Sequence, residues 1–256
     1  PLNFYLPIQS IDPLGNKTQV EYDNYHLFPL RSTDAVGNET LAYYDYRVLQ
    51  AYRTTDPNGN QHAVNFDTHG SVISTAIIGK NGEGDTPDDP TIKLEYELFN
   101  WQKNRKPNFV KTFAREIHKD PNTPWQISYS YSNGLGKEIL KKVQAEDGDA
   151  FTRNEDGSLE RDKSGKLLKA ETDHRWVGNG RVILNNKGKP IKQYESYFTD
   201  TAEYEDESEL REYGVTPVIH YDPMERVIRT DLPDGTFSKT EFDGWKKITF
   251  DANDTV

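Results

Sequence analysis

Apolar and polar residues alternate along this chain in short runs separated by tight polar clusters. Ile92–Leu98 (IKLEYEL) and Trp125–Tyr131 (WQISYSY) alternate strictly, and Phe109–Ala114 (FVKTFA) nearly so. That is the pattern of strands with two differently solvated faces. Thr18–Tyr22 (TQVEY), Thr40–Tyr44 (TLAYY) and Ala63–Phe66 (AVNF) are rich in β-branched and aromatic residues and read the same way. Ser71–Ile78 (SVISTAII) is the most apolar run and is expected to be the best-buried strand. Pro7 and Pro29 are expected at strand ends or edges. Lys103–Asn108, Ser132–Gly136 and Asn185–Gly188 punctuate the later runs as turns, each with a strand on either side. Asp200–Gly214 alone reads as a helix, acidic in its first turn and with a glycine placed as a C-terminal cap. Gly79–Pro90 has no periodicity and is expected to be an exposed connection or a boundary between lobes. Glu146–Thr172, polar with turns at Asp156-Gly157 and Ser164-Gly165, is expected to be a protruding hairpin.

The first 72 residues repeat. Ile11–Asp23 (IDPLGNKTQVEYD), Thr33–Asp45 (TDAVGNETLAYYD) and Thr55–Asp67 (TDPNGNQHAVNFD) align with Asp12, Asp34 and Asp56 in register, as are Gly15, Gly37 and Gly59. Tyr22, Tyr44 and Phe66, each followed by Asp23, Asp45 and Asp67, close the three copies, giving a period of 22 residues. A fixed period of this length implies a repeat architecture. The Asp and glycine of each core suit a tight turn, Asp by bonding its own following backbone and Gly by accepting positive φ. The unit is therefore strand, turn, strand, aromatic-Asp corner, and Tyr221-Asp222 repeats the corner near the end of the chain.

These units resemble YD (Rhs) repeats. The resemblance narrows through DYRVLQ (Asp45–Gln50), TDPNGN (Thr55–Asn60), AIIGK (Ala76–Lys80), REIH (Arg115–His118), YSNGLGKE (Tyr131–Glu138), RWVGNGR (Arg175–Arg181), NNKGKP (Asn185–Pro190), YDPMERVIRTDLPDGTF (Tyr221–Phe237) and DANDTV (Asp251–Val256). Together they are similar to the Rhs-shell part of the B component of insecticidal toxin complexes, in the SpvB-related family, over nearly the whole chain. Two stretches are expected: a hairpin ladder over 1–80, and a toxin-complex B-like middle and C-terminal shell segment over 91–256 carrying the polar insertion 146–172. The chain starts at Pro1 and is expected to be a piece of a longer protein.

Composition alters the picture in one respect. Only 34% of the residues are hydrophobic even with Tyr counted, against roughly 45–50% in typical soluble domains. With 15 Tyr and 11 Phe the chain is nonetheless too aromatic for plain disorder. An all-β fold of stacked antiparallel hairpins in a curved or spiral sheet, wetted on much of both faces, reconciles the two. A net charge of −11 and a pI near 5.1 disfavour nucleic acid as a partner. No cysteine is present, so disulfides and thiolate chemistry are excluded. No apolar run approaches the ~20 residues of a membrane span, and no membrane insertion is expected.

Candidate chemistry is sparse. His26, His62, His69, His118, His174 and His220 show no recognised ligand spacing; His62 and His69, within one unit, are the least improbable pair. Asp12, Asp34, Asp56, Asp222 and Asp231 present oxygens on tight loops, but no full calcium-loop pattern is found, and a turn Asp is accounted for by its own backbone. No catalytic residue, metal or cofactor is expected. The recurring aromatics, Phe242 among them, are expected to pack side by side as cross-strand neighbours, with sugar binding as the functional alternative.

The resemblance implies a cocoon wall. Proteins of this family wind YD hairpins into a β-spiral that closes with a C component around a toxic effector. The motif of the self-cleaving core and the gate propeller have no counterpart in these residues, so neither is carried over. The leading expectation is a secreted, non-catalytic shell segment whose partners are the C component or effector and the rest of the same shell. A carbohydrate- or protein-binding β module at a cell surface is the alternative, and a carboxylate hydrolase ranks last.

Overall fold

The computed structural model describes residues 2–255. After a 3-10 turn at Leu2–Tyr5 come β1 (Gln9–Ile11), β2 (Lys17–Tyr22), β3 (Pro29–Thr33), β4 (Glu39–Asp45), β5 (Gln50–Thr55), β6 (Gln61–Phe66), β7 (Val72–Ile78) and β8 (Ile92–Glu97). A short helix, α1 (Asn100–Asn104), leads to β9 (Asn108–Arg115), β10 (Trp125–Ser132), β11 (Glu138–Gln144), β12 (Gly148–Phe151), β13 (Lys169–Thr172) and β14 (Trp176–Gly178). β15 (Val182–Leu184), β16 (Pro190–Gln193), β17 (Tyr197–Thr199), α2 (Ser208–Arg211), β18 (Val218–Tyr221), β19 (Val227–Asp231), β20 (Phe237–Phe242) and β21 (Lys247–Phe250) complete the chain. The fold is nearly all β. Fifteen strands hydrogen-bond in the order β1 to β11, then β14, β17, β12 and β13; β15–β16 and β18–β21 form separate sheets. Most neighbours are antiparallel hairpins; β14 pairs antiparallel with the non-consecutive β11 and β17, and β12 pairs in parallel with β17.

The chain divides into two compact units, one comprising the residues up to Tyr96 with Lys111–Ile127, the other Glu97–Val110 with Ser128 onward. In the first, the 22-residue period is one hairpin pair, with a turn at each end. The two ends differ. At the Asp12, Asp34 and Asp56 turns the register runs straight through. At the aromatic-Asp end it shifts by one residue at Glu21/Tyr22, Tyr43/Tyr44 and Asn65/Phe66, and again at His220/Tyr221 in the second unit. Each aromatic of the motif therefore sits opposite a β-bulge, whose extra residue (Leu30, Tyr52, Ile73 or Ile228) is on the partner strand. The bulge bends that strand and raises the local twist.

Register also sorts the two faces. Ala42, Thr54, His62 and Ile77 lie opposite one another on one face, as do Val64, Thr75 and Ile92. Glu21, Arg31 and Leu41 share the other face with Tyr43, Arg53, Ala63 and Ala76. Arg31 pairs there with Glu21 at 3.8 Å and Glu39 at 3.5 Å. Gly79–Pro90, expected to be exposed, folds back over this charged face. Pro87 O accepts from Asn65 Nδ2 at 3.1 Å and from Ser74 Oγ at 3.3 Å, and Ala63, Ser74 and Ala76 are buried. The loop has no periodicity because a buried carboxylate, Asp85, fastens it instead of an apolar face.

In the second unit the insertion does not protrude. Its Leu159 is buried against Phe151, Tyr197 and Leu210, with Leu167 packed alongside, and this cluster is the unit's apolar core among the described residues. Only three apolar residues of this polar stretch, Ala150, Phe151 and Leu159, are buried, too few to produce a legible period. The helix expected over Asp200–Gly214 shortens to the single turn α2. Glu207 at its N-cap makes no capping bond, and Glu205 and Glu207 are spent on tertiary ion pairs. Helix α1, unanticipated, closes the connection between β8 and β9, ending at Arg105 with φ +58°. In the first unit only Ala63, Ser74, Ala76 and Arg115 are buried among the described strand residues, because a single layer of strands cannot cover both of its own faces.

Candidate functional site

The turn aspartates share one hydrogen-bond set. Asp12 Oδ1 accepts from Leu14 N and Asn16 N, each at 2.9 Å, and Oδ2 from Asn16 Nδ2 at 2.7 Å. Asp34 repeats this with Val36 and Asn38, and Asp56 with Asn60. Gly15, Gly37 and Gly59 each donate N–H to the carbonyl of the leading Asp, at φ near +87°. Asp67, after the aromatic, leads the same turn, bonding His69 N and Ser71 N at 2.8 and 2.9 Å. Asp222 does so with Met224 N, Arg226 N and Arg226 Nε. Hydrogen bonds from the residue four positions on hold all five carboxyls below the ordinary carboxylate range. Their oxygens are thus engaged by the chain itself, and no group of three or more possible metal ligands occurs among the described residues. Asp231 is not in a turn: it ends β19 and takes His220 Nε2 at 2.7 Å and Arg229 Nε at 2.6 Å. His62 lies on β6 and His69 in the Asp67 turn.

The aromatic-Asp corners vary. Asp23 is buried and accepts from Tyr46 Oη at 2.5 Å, Leu27 N at 2.7 Å and Phe28 N at 3.2 Å. Burial pushes its carboxyl up, but these three donors together outweigh it and hold the carboxyl low. The same bond pushes the Tyr46 phenol up to about 12. Asp45 instead caps Arg47 N at 2.8 Å and pairs with the Arg47 guanidinium at 3.3 Å. Tyr22 donates to Pro7 O at 3.2 Å and Tyr221 to Pro190 O at 2.8 Å. The expected side-by-side aromatic ladder does not form. Tyr22, Tyr44 and Phe66 are on β2, β4 and β6, with β3 and β5 hydrogen-bonded between them, which puts them about 10 Å apart. Tyr44 stacks on Phe28 of the intervening segment, centroids 4.3 Å apart and 9° from parallel. A period of two strands places every second strand, not every strand, in register.

Two buried ion clusters went unseen in the sequence. In the first unit, Asp85 takes Arg115 Nη1 at 2.6 Å, Thr91 Oγ1 at 2.6 Å, His118 Nδ1 at 2.5 Å and Lys119 N at 2.8 Å, and Arg115 also holds Asp89. Burial alone would raise the Asp85 carboxyl; the donors of Thr91, Lys119, Arg115 and His118 hold it far below the usual range. Thr91 gives its proton to Asp85 rather than to His118, so this is a latch on the loop rather than a base relay. In the second unit, buried Lys142 pairs with Glu205, which also receives Arg153 Nη2 at 2.6 Å and Thr199 Oγ1 at 2.8 Å; Arg153 binds Glu207 at 2.7 Å. Desolvation lowers the Lys142 ammonium to about 8, against the pull of Glu205. Partners 30 and 63 residues apart leave no local spacing to read.

An open cleft of about 620 Å³ lies beside Arg211, and three of its charged side chains are held within the chain: Arg181 by Glu212, the Arg211 Nη atoms by two backbone carbonyls and Glu138 by Ser130. What recurs across the chain is hairpin geometry, and what is buried fastens loops to a sheet.

No protein-family model matches the chain, and neither does any curated protein. Solved structures do. A crystal structure of TcdB2-TccC3 superposes with a TM-score of 0.75 at 27% identity, covering 98% of this chain and 13% of that one. TcdB2-TccC3-Cdc42 gives 0.73 at 24% identity over 98% of this chain and 16% of that one. The Photorhabdus luminescens Tc holotoxin pore with a TccC3 mutation gives 0.69 at 22% identity over 93% and 14%. The chain is thus similar along nearly its whole length to a small part of these toxin-complex chains.

Proposed function

We propose that this chain is a wall segment of a toxin-complex B-like shell, made of YD hairpins, that helps to enclose an effector and performs no reaction of its own. The observation that carries the reading is the likeness over 98% of the chain, at 27% identity, to part of TcdB2-TccC3. The single-layered sheet supports it, because a wall must present two solvent-accessible faces where a compact enzyme needs a covered core. The hydrogen-bonded turns at both ends of each period support it too, since they give a long sheet its register without a second layer. On this reading its partners are the remaining shell of a longer chain, the C component and the effector, and it works outside the cell that makes it.

The proposal is testable by cysteine labelling against the parent background, to which this stretch contributes no cysteine of its own. Thr18 and Gln19 are neighbours on β2 and point to opposite faces. With Thr18→Cys or Gln19→Cys placed in the complete parent protein assembled with its C component, a bulky maleimide should label one position and spare the other. In the isolated chain it should label both. Equal labelling of both positions in the assembly would rule out a closed wall.

A further inference from the structure

We propose that the groove walled by Phe109, Tyr129, Tyr131 and Tyr204 is a binding site for a neutral pyranose sugar. It lies wholly within the second unit and encloses about 580 Å³, within the ~300–1,000 Å³ range of small-molecule sites. Tyr129 and Tyr131, two apart on β10, present parallel rings with centroids 6.2 Å apart and 13° between planes. Phe109 of β9 leans on both, at 5.5 and 5.4 Å, and Tyr204 on Tyr131 at 5.6 Å. The motif aromatics Tyr22, Tyr44 and Phe66 lie two strands apart; these four converge. Tyr131 is the floor, buried with its hydroxyl given to Ala202 O at 2.8 Å.

The rim is polar and only partly committed. Asn104 spends its amide N–H on Asn100 Oδ1 at 2.8 Å, and its carbonyl oxygen takes part in none of the described bonds. Glu203 holds Lys106 Nζ at 2.5 Å through Oε2, leaving Oε1 for another donor and two of the three ammonium protons for acceptors. A pyranose has an apolar C–H face suited to the face of a ring and, in its plane, hydroxyls that donate and accept at once. Aromatic walls with two acceptors and a donor at the edge match that division. The other ligand classes fit less well. An apolar peptide would cover Glu203 and Lys106 while offering them no partner, at a cost in desolvation. An anion would meet Glu203, and a cation Lys106.

The test is saturation-transfer NMR on the intact chain with the methyl glycosides of glucose, galactose, mannose and N-acetylglucosamine. At least one should bind saturably with Kd on the order of 1 mM. Asn104 is exposed and the Glu203 side chain is 69% exposed, so Asn104→Ala and Glu203→Ala should leave the melting temperature unchanged while weakening that sugar about tenfold each. Tyr129→Leu, which removes a ring face but keeps volume, should abolish it. Should no glycoside saturate, or should affinity survive both rim substitutions, the assignment fails. Neither result bears on the shell reading, which the labelling of β2 decides separately.

Discussion

Gly37 stands at φ +87° with nothing within 4 Å of where a Cβ would be. Gly37→Ala therefore isolates the backbone term and should lower stability by roughly 1–2 kcal/mol, read as a shift in the urea midpoint at constant slope. Glu225 occupies the equivalent position of the Asp222 turn at φ +65°, and its side chain reaches Lys189 at 3.2 Å; there the turn tolerates a side chain. Asp85 is the residue whose loss should be felt most. Removing the buried member of this ion cluster leaves Arg115 with only the half-exposed Asp89 and strips Thr91 and Lys119 N of their acceptor, so Asp85→Ala should cost about 3–5 kcal/mol. The sign of its pH dependence follows from a folded pKa below the unfolded 3.8. Its contribution is complete above that value and is lost as pH falls through the folded one, because the unfolded state then binds the proton more readily. Thermal melts should be insensitive to Asp85 titration near neutrality and fall steeply with acid below about pH 4. In Asp85→Asn this acid-dependent part should be reduced. An unchanged acid profile in that variant would show that Asp85 is not the group responsible.

Among the elements, the insertion between β12 and β13 is the one whose role differs most from its composition. Leu159→Ala should cost about 2–5 kcal/mol, as for a filled core position. Leu135→Ala, in a turn where Leu135 is 93% exposed, should stay within about 0.5 kcal/mol of the parent. Chemical denaturation of the two variants side by side settles whether the insertion is core or ornament. α2 depends on the same packing: with no side-chain cap, its four residues persist because Leu210 is buried and Glu207 is held by Arg153. A turn of helix this short is marginal by propensity alone.

At the scale of the molecule, each ladder strand contacts its neighbours in sequence, β6 with β7 and β4 with β5 most extensively. Stability in such an arrangement is close to a sum of nearest-neighbour terms and need not be cooperative from end to end. Amide hydrogen exchange should therefore be fastest in β1, whose three residues are all exposed, and slowest in β6 and β7, where Ala63 and Ala76 are buried beneath the folded-back loop. Uniform protection from β1 to β7 would contradict this and indicate one cooperative block.

The sequence by itself determined the all-β class, the positions of most hairpins and the hydrogen-bonding role of the turn aspartates. Those features are local: a turn Asp bonds within four residues, and strand alternation is visible over five. Asp12, Gly15 and Asp34 could be understood from their immediate neighbours. Tertiary structure alone decided which strands intervene between Tyr22, Tyr44 and Phe66, where Gly79–Pro90 lies, and how much of Asp200–Gly214 is helical. It alone also brought Asp85 to Arg115, Lys142 to Glu205 and Tyr204 to Tyr131. The reason is physical: a single-layered sheet takes few cues from apolar periodicity, so its loops are fixed by isolated ion pairs between distant residues. One charge among many carries no mark of its partner until the chain has folded.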